Sequence, residues 1–321
     1  MKNSFTAANE FPYKIFRDLG LLVSIFDGEK ILPRHVQLSP TNKCNLKCSF
    51  CSCQSRDQKQ EWTFDDVQKI TKILKEVWTK GVTITGGGEP FLFKHIDELI
   101  ISLRNIGVSV GIVSNGTIPC NELIIPLITW IRFSFSDDRV IDNKFLDNIR
   151  KWIGKGVDLA FSYVVTADVN FSNIKQIVEF ANNNKFTHIR LVSDILDPQT
   201  SKNILNVKDF LRRDCDIDDS LVIYQPRGSY TKGIQRCLIS LLKPMIYSDG
   251  HIYPCCGVQY ALIDDTKRMP ERMRMGYYTK LPQIIEKQKC FDGSICNVCY
   301  YEKYNVVLDS LLEKMKHLDF I

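Results

Sequence analysis

Long hydrophobic runs are missing from this 321-residue chain. Its longest apolar stretches, such as residues 123–128, fall far short of the ~20 residues that a membrane-spanning helix needs. The N-terminal segment is interrupted by Lys2, Glu10, Lys14, Arg17 and Asp18, so it lacks the unbroken apolar core of a secretion signal. A cytoplasmic protein is expected. Histidine is scarce, the five present share no motif, and none is singled out as catalytic. Internal repeats and low-complexity segments are also absent. An excess of one charge sign is nearly so: 42 Lys and Arg against 37 Asp and Glu leave +5, too mild to argue for nucleic acid. Hydrophobic residues at 44% and charged residues at 25% match ordinary globular usage. That excludes a disordered tail protein, a collagen-like fibre and a coiled coil. At about 150 residues per domain, the length suggests roughly two domains.

Cysteine, in contrast, is plentiful, with 12 in the chain. A reducing compartment disfavours disulfides, and a chain this long can build a core without them. Metal binding or chemistry is then the leading reading. Cys44, Cys48, Cys51 and Cys53 crowd one loop, and seven more follow residue 210.

Between residues 34 and 193 strand-like and helix-like segments alternate as six βα units. Residues 35–38 read as a strand that runs into the cysteine loop. Residues 63–80 read as a helix, with Thr63 capping through Asp66 and an apolar face of Phe64, Val67, Ile70, Leu74, Val77 and Trp78. Strands follow at 82–85, 108–114, 130–136, 157–165 and 187–193, with a weaker helix near 121–128. Short loops between such units imply a parallel sheet with helices outside it. A flat doubly wound sheet and a partial barrel both fit, and either places ligands at the carboxyl ends of the strands. Residues 194–220 are polar and acidic and read as a bridge with one short helix. From Cys237 a second unit begins, with a hairpin signal at Asp249-Gly250 followed directly by Cys255 and Cys256. A closing helix is expected over residues 305–317.

Three groups of residues carry chemistry. In the first, Cys44-x3-Cys48-x2-Cys51 follows the first strand, and three thiolates in eight residues can face one point. They suit a cubane with one open iron, or a zinc completed by Cys53 or a histidine. The second is Thr85-Gly86-Gly87-Gly88-Glu89-Pro90 at the end of the second strand. Its glycines permit close approach of a ligand, and Glu89 suits a cationic amino group; a plain strand-to-helix turn also explains it. The third is Cys237-x12-Gly250-x4-Cys255 with Cys296-x2-Cys299 downstream, which can hold one zinc or a cubane.

Together the first two groups resemble the radical S-adenosylmethionine superfamily, in which Cys-x3-Cys-x2-Cys carries an aromatic residue before its last cysteine, here Phe50. A Gly-Gly-Glu-Pro motif follows on the second strand, here Gly87 to Pro90. The resemblance spans about residues 34–193. It implies an α/β fold, a partial (βα)6 TIM-like barrel, with a small C-terminal cluster domain. The division expected is 1–33 as an N-terminal extension, 34–220 as the barrel and 221–321 as the auxiliary domain. It further implies that Cys44, Cys48 and Cys51 hold a [4Fe–4S] cluster whose open iron chelates S-adenosylmethionine. Gly87, Gly88 and Glu89 would meet the amino group and Phe50 the adenine. Asn115 and Ser134, at the ends of the third and fourth strands, would meet the methionyl or ribose part. The C-terminal cysteines resemble the opening of the twitch and SPASM extensions. A one-cluster twitch version fits the remaining length, with Cys237, Cys255, Cys296 and Cys299 as ligands of an auxiliary [4Fe–4S] cluster. Cys256 and Cys290 are rivals for a place in that set.

The function so implied is reductive cleavage of S-adenosylmethionine and abstraction of a substrate hydrogen atom, with an external flavodoxin- or ferredoxin-type reductant. Only 43 residues precede Cys44, too few for an added N-terminal peptide-binding domain. A small molecule such as an amino sugar or nucleoside is therefore expected to be the substrate. Ribosomal-peptide maturation or epimerisation is the alternative within the superfamily, and a zinc-ribbon nucleic-acid protein the alternative outside it. Lys267, Arg268, Arg272, Arg274 and Lys280 form a basic stretch that suits a phosphate or carboxylate, or simply a solvated loop. Arg190, on the sixth strand, matters only if its side chain points into the barrel.

Overall fold

The computed structural model describes residues 13–215, 220–227, 230–262 and 269–313. Seven parallel strands form the frame: β1 (His35–Leu38), β2 (Gly81–Ile84), β3 (Ser109–Ser114), β4 (Trp130–Ser136), β5 (Asp158–Val165), β6 (His188–Ser193) and β7 (Val222–Gln225). Each pairs with the next in sequence, so the order runs from β1 to β7 with no reversal. A doubly wound sheet needs a reversal at its switch point. A sheet that winds in one direction curls into part of a barrel, which settles the ambiguity that periodicity leaves. The seventh strand lies beyond residue 220, where the barrel was expected to end. Four residues are too short to announce a strand in sequence, but register with β6 recruits them: Ile189 pairs with Val222 and Val192 with Gln225.

Helices α1 (Tyr13–Arg17) and α2 (Leu19–Phe26) precede the sheet. Then α3 (Phe64–Glu76), α4 (Ile96–Asn105), α5 (Asn143–Arg150), α6 (Phe171–Asn183) and α7 (Asn203–Asp214) alternate with the strands. The Thr63–Asp66 capping box opens α3, which buries Val67, Ile70 and Leu74. Phe64 and Trp78 do not join that face. Phe64, the first residue of α3, is 43% exposed beside the His95 ring, and Trp78 is 66% exposed because α3 ends at Glu76 and Trp78 turns left-handed at φ +58°. Over Glu122–Leu127 only a 3-10 turn forms, since Pro126 has no N–H to give an α-helix.

The C-terminal part extends the same sheet. A hairpin of β9 (Met245–Ile246) and β10 (His251–Tyr253) sets β9 parallel to the free edge of β1. Then β11 (Gly276–Tyr277) covers β10. The edge of β1 is thereby paired rather than left open. Gly250 closes the hairpin loop at φ +77°, where an added Cβ would strike the Tyr277 ring at 2.2 Å. A two-stranded ribbon of β8 (Arg236–Cys237) and β12 (Phe291–Asp292), with α8 (Ile239–Leu242), α9 (Leu281–Glu286) and α10 (Glu302–Leu312), completes the region. The closing helix thus starts earlier than expected, and residues 314–317 of the expected span lie outside the described residues. No described helix is long and apolar enough to cross a membrane.

Candidate active site and cluster sites

Beyond β1 the chain leaves the sheet and returns, and Thr41 meets Glu61 in an isolated bridge. The intervening loop carries Cys44, Cys48, Cys51 and Cys53. It is held by its own turns (Cys51 N–H to the Cys48 carbonyl, 3.2 Å) and by Asn42, whose Nδ2 donates to Asp57 O and Gln60 Oε1. The glycine run locks onto the entry to this loop. Gly88 N–H donates to Thr41 O at 2.9 Å, and Glu89 N–H to Lys43 O at 2.7 Å. A Cβ on Gly88 would lie 2.1 Å from the Lys43 carbonyl oxygen. One on Gly87, at φ +54°, would lie 2.4 Å from Asn42 Oδ1. Gly88 therefore admits the backbone at residues 42–43, and Gly87 the side chains of Asn42 and Ser39.

Cys44, Cys48, Phe50, Cys51, Gly87, Gly88, Glu89, Asn115 and Ser134 line one cavity of about 340 Å³ at the carboxyl ends of the strands. Glu89 is 2% exposed, and its carboxylate is engaged by the protein. It accepts from Asn115 N–H at 2.7 Å, Ser114 Oγ at 2.8 Å and Phe91 N–H at 3.2 Å. Burial nevertheless raises its pKa above the ordinary carboxylate value. It caps the 3-10 turn Pro90–Leu92, so the turn reading holds alongside any contact with a ligand. Asn115 likewise reaches back to the cysteine loop, its Nδ2 donating to Asn45 Oδ1 at 3.0 Å.

Two arginines of this site carry no motif in the sequence. Arg56 donates from Nη1 to Cys51 Sγ at 3.3 Å and from Nε to Asn42 O at 2.9 Å. Arg139 lies over the rings of Phe135 and Phe145 and donates to the Ser134 carbonyl. Burial lowers its pKa, with Cys48, Asp138 and Glu89 opposing that shift. A guanidinium beside the cavity suits a carboxylate.

All twelve cysteines are free. Cys237, Cys255, Cys296 and Cys299 line a second, narrow cavity. They arrive from β8, from the end of the hairpin and from the loop before α10, so tertiary packing alone gathers them. Cys237 also accepts from Asn305 Nδ2 at 3.6 Å. Cys256 faces elsewhere, 3.4 Å from Tyr301 Oη, and Cys290 lines neither cavity. Burial pushes the thiols of Cys237 and Cys296 up to about 12 and that of Cys48 up to about 11. Among the described residues no three Cys, His, Asp or Glu side chains close on a single ion. Four thiols lining one cavity and three lining another form donor sets that cysteine-ligated clusters take.

Between these cavities lies a third, of about 410 Å³, inside the barrel. It shares Thr85, Arg227 and Tyr260 with the first and Ile239, Tyr300 and Tyr301 with the second. Arg190 points into it. The basic stretch behaves otherwise: Arg274 is spent on Asp249 at 3.0 Å and Tyr253 at 3.2 Å, bracing the hairpin. Lys267 and Arg268 lie outside the described residues.

Residues 38–129 match the family described as the Radical SAM superfamily, which takes in the cysteine loop and the glycine run. The chain thus carries a radical S-adenosylmethionine domain over those residues. It is a radical S-adenosylmethionine enzyme, with a [4Fe–4S] cluster and S-adenosylmethionine as cofactors. A GTP 3',8-cyclase of Helicobacter pylori (strain HPAG1) is 24% identical over 288 residues, 77% of this chain and 89% of the relative. Among solved structures, Streptococcus suis SuiB bound to S-adenosylmethionine superposes with TM-score 0.55 at 16% identity, covering 94% of this chain and 80% of SuiB. SuiB bound to its precursor peptide SuiA gives 0.57 at 15%, covering 95% and 79%. These two likenesses speak for the fold alone: a partial parallel barrel with a C-terminal extension.

Proposed function

We propose that this enzyme abstracts a hydrogen atom from a small molecule held in the barrel interior and oxidises it. The observation that carries this reading is the chain of three adjoining cavities, with three motif cysteines at one end and four further cysteines at the other. When bound, the cluster and S-adenosylmethionine supply a 5′-deoxyadenosyl radical, given one electron from an external flavodoxin- or ferredoxin-type donor. The protein supplies position. Cys44, Cys48 and Cys51 hold the cluster. Gly87, Gly88, Glu89, Asn115, Ser134 and Phe50 frame S-adenosylmethionine, with Arg139 placed for its carboxylate. Cys237, Cys255, Cys296 and Cys299 would hold an auxiliary [4Fe–4S] cluster, which would supply an electron acceptor for the oxidation. The β8–β12 ribbon, the end of the β9–β10 hairpin and the loop before α10 bring those four cysteines together. An interior volume of about 410 Å³ suits a small molecule such as an amino sugar or nucleoside.

Anaerobic reconstitution tests both sites. The wild type should carry about eight irons, as two Cys-ligated cubanes. The triple variant Cys44→Ala/Cys48→Ala/Cys51→Ala should keep about four and release no 5′-deoxyadenosine. An iron-free triple variant, or zinc in place of iron, removes the auxiliary cluster and with it the oxidation. Cleavage of S-adenosylmethionine by Cys48→Ala at the wild-type rate removes the first site.

A further inference from the structure

Positively charged side chains gather in the barrel interior. Arg132 enters from β4, Arg190 from β6 and Arg227 from just beyond β7, and all three line the same cavity. The Nε of each is buried and has no hydrogen-bond partner. They also crowd one another: after burial, Arg190 and Arg227 depress the pKa of Arg132, and Arg227 depresses that of Arg190. Among the described residues the one carboxylate on the cavity wall, Asp18, is already paired with Arg34 at 2.9 Å. Arg132 gains partial relief from the Trp130 ring at 5.7 Å. Guanidinium groups do not shed their protons in proteins, and burying several together without an anion is strongly unfavourable. The arrangement therefore asks for negative charge from outside the chain.

We propose that Arg132, Arg190 and Arg227 bind the phosphoryl oxygens of a phosphorylated small-molecule substrate, a nucleotide or sugar phosphate. This rests on the proposed function, which places the substrate in this cavity. Three forks from three strands outnumber the two oxygens of a single carboxylate. A phosphoryl group offers three oxygens and up to two charges, and a polyphosphate offers more. Tyr260 and Tyr300, on the same wall, leave room for the uncharged part to lie between the cluster sites.

The test is calorimetric titration of inorganic triphosphate into the anaerobically reconstituted protein with S-adenosylmethionine present. One triphosphate should bind per chain, and Arg190→Gln or Arg132→Gln should each weaken it about ten- to a hundredfold, the loss of a charge-assisted contact. Lys155→Gln, which removes an exposed charge outside the cavity, should leave the affinity unchanged. Should either arginine variant fail to fold, Arg227→Gln and the triphosphate-dependent rise in wild-type Tm carry the same comparison. Absence of binding, equal weakening by Lys155→Gln, or tighter binding of citrate than of triphosphate would each overturn the proposal. Absorbance on the same samples separates the two readings. A protein that loads no cluster fails the proposed function, whereas a loaded protein that ignores triphosphate fails only this inference.

Discussion

Replacing Glu89 by Gln tests whether this carboxylate braces the site or only greets the ligand. One of its oxygens accepts from Phe91 N–H (3.2 Å) and Ser114 Oγ (2.8 Å), and the other from Asn115 N–H (2.7 Å). Glutamine keeps one acceptor and places an NH2 where the second stood. In either orientation a backbone N–H then faces a donor. Ser114 can rotate its hydroxyl hydrogen and accept from that NH2 while still accepting from Gly116 N–H at 3.0 Å, but a backbone N–H has no such freedom. Loss of a charge-assisted bond costs about 1.5–3 kcal/mol, and a stranded buried donor about 1–3 more. Relief of the buried charge, visible as the raised pKa of Glu89, offsets part of this. A net loss of about 2–3 kcal/mol is expected, read as a lower urea midpoint and a Tm lower by several degrees. The turn carrying Asn115 should loosen with it, weakening S-adenosylmethionine binding about tenfold or more in a titration. A variant as stable as the wild type but with weakened binding would refute the brace. Unchanged stability and affinity together would refute both roles.

Two further outcomes follow from the same geometry. Gly88→Ala drives a Cβ to 2.1 Å from the Lys43 carbonyl, and because both partners are backbone the entry to the cysteine loop must shift. Iron content after reconstitution should fall towards about four per chain, the auxiliary complement alone, and full loading would show that the contact yields. His188 is 6% exposed, and burial, followed by Arg132 and Arg190, lowers its pKa to about 3. The unfolded chain takes up that proton near pH 6.5 and the native protein does not. Stability present above that pH is therefore lost as the pH falls towards about 3, by about 1.4 kcal/mol per unit. Urea midpoints measured between pH 7 and 4.5 should show this slope, and His188→Phe should flatten it; equal slopes would clear His188 of the effect.

Local chemistry was legible in the sequence wherever neighbours in the chain are neighbours in space. The Thr63–Asp66 capping box, the alternation of strand and helix, and the two motifs depend on residues a few positions apart. The spacing of Cys44, Cys48 and Cys51 is likewise a property of one loop. Residues that act through distant partners were harder to read. Trp78 follows the helical period yet sits outside the apolar face, because the helix ends before it and the backbone turns left-handed. β7 is four residues long and exists because β6 offers it a register.

What only the tertiary structure decided is which faces meet. Composition and spacing allowed a flat sheet or a barrel; unreversed pairing from β1 to β7 decides for the barrel. Arg132 and Arg227 are unremarkable in sequence, and Arg190 drew notice only on the condition that it points inward, because nothing in the chain says which way a side chain points. Curvature of the sheet turns all three inward. Gly87 and Gly88, which line the cavity, also make room for residues 39–43, a demand set by a stretch of chain that passes there only in the folded structure. Sequence thus determined the residue types and their local periods. The closing of the sheet determined what those residues face, through long-range pairing that no single segment encodes.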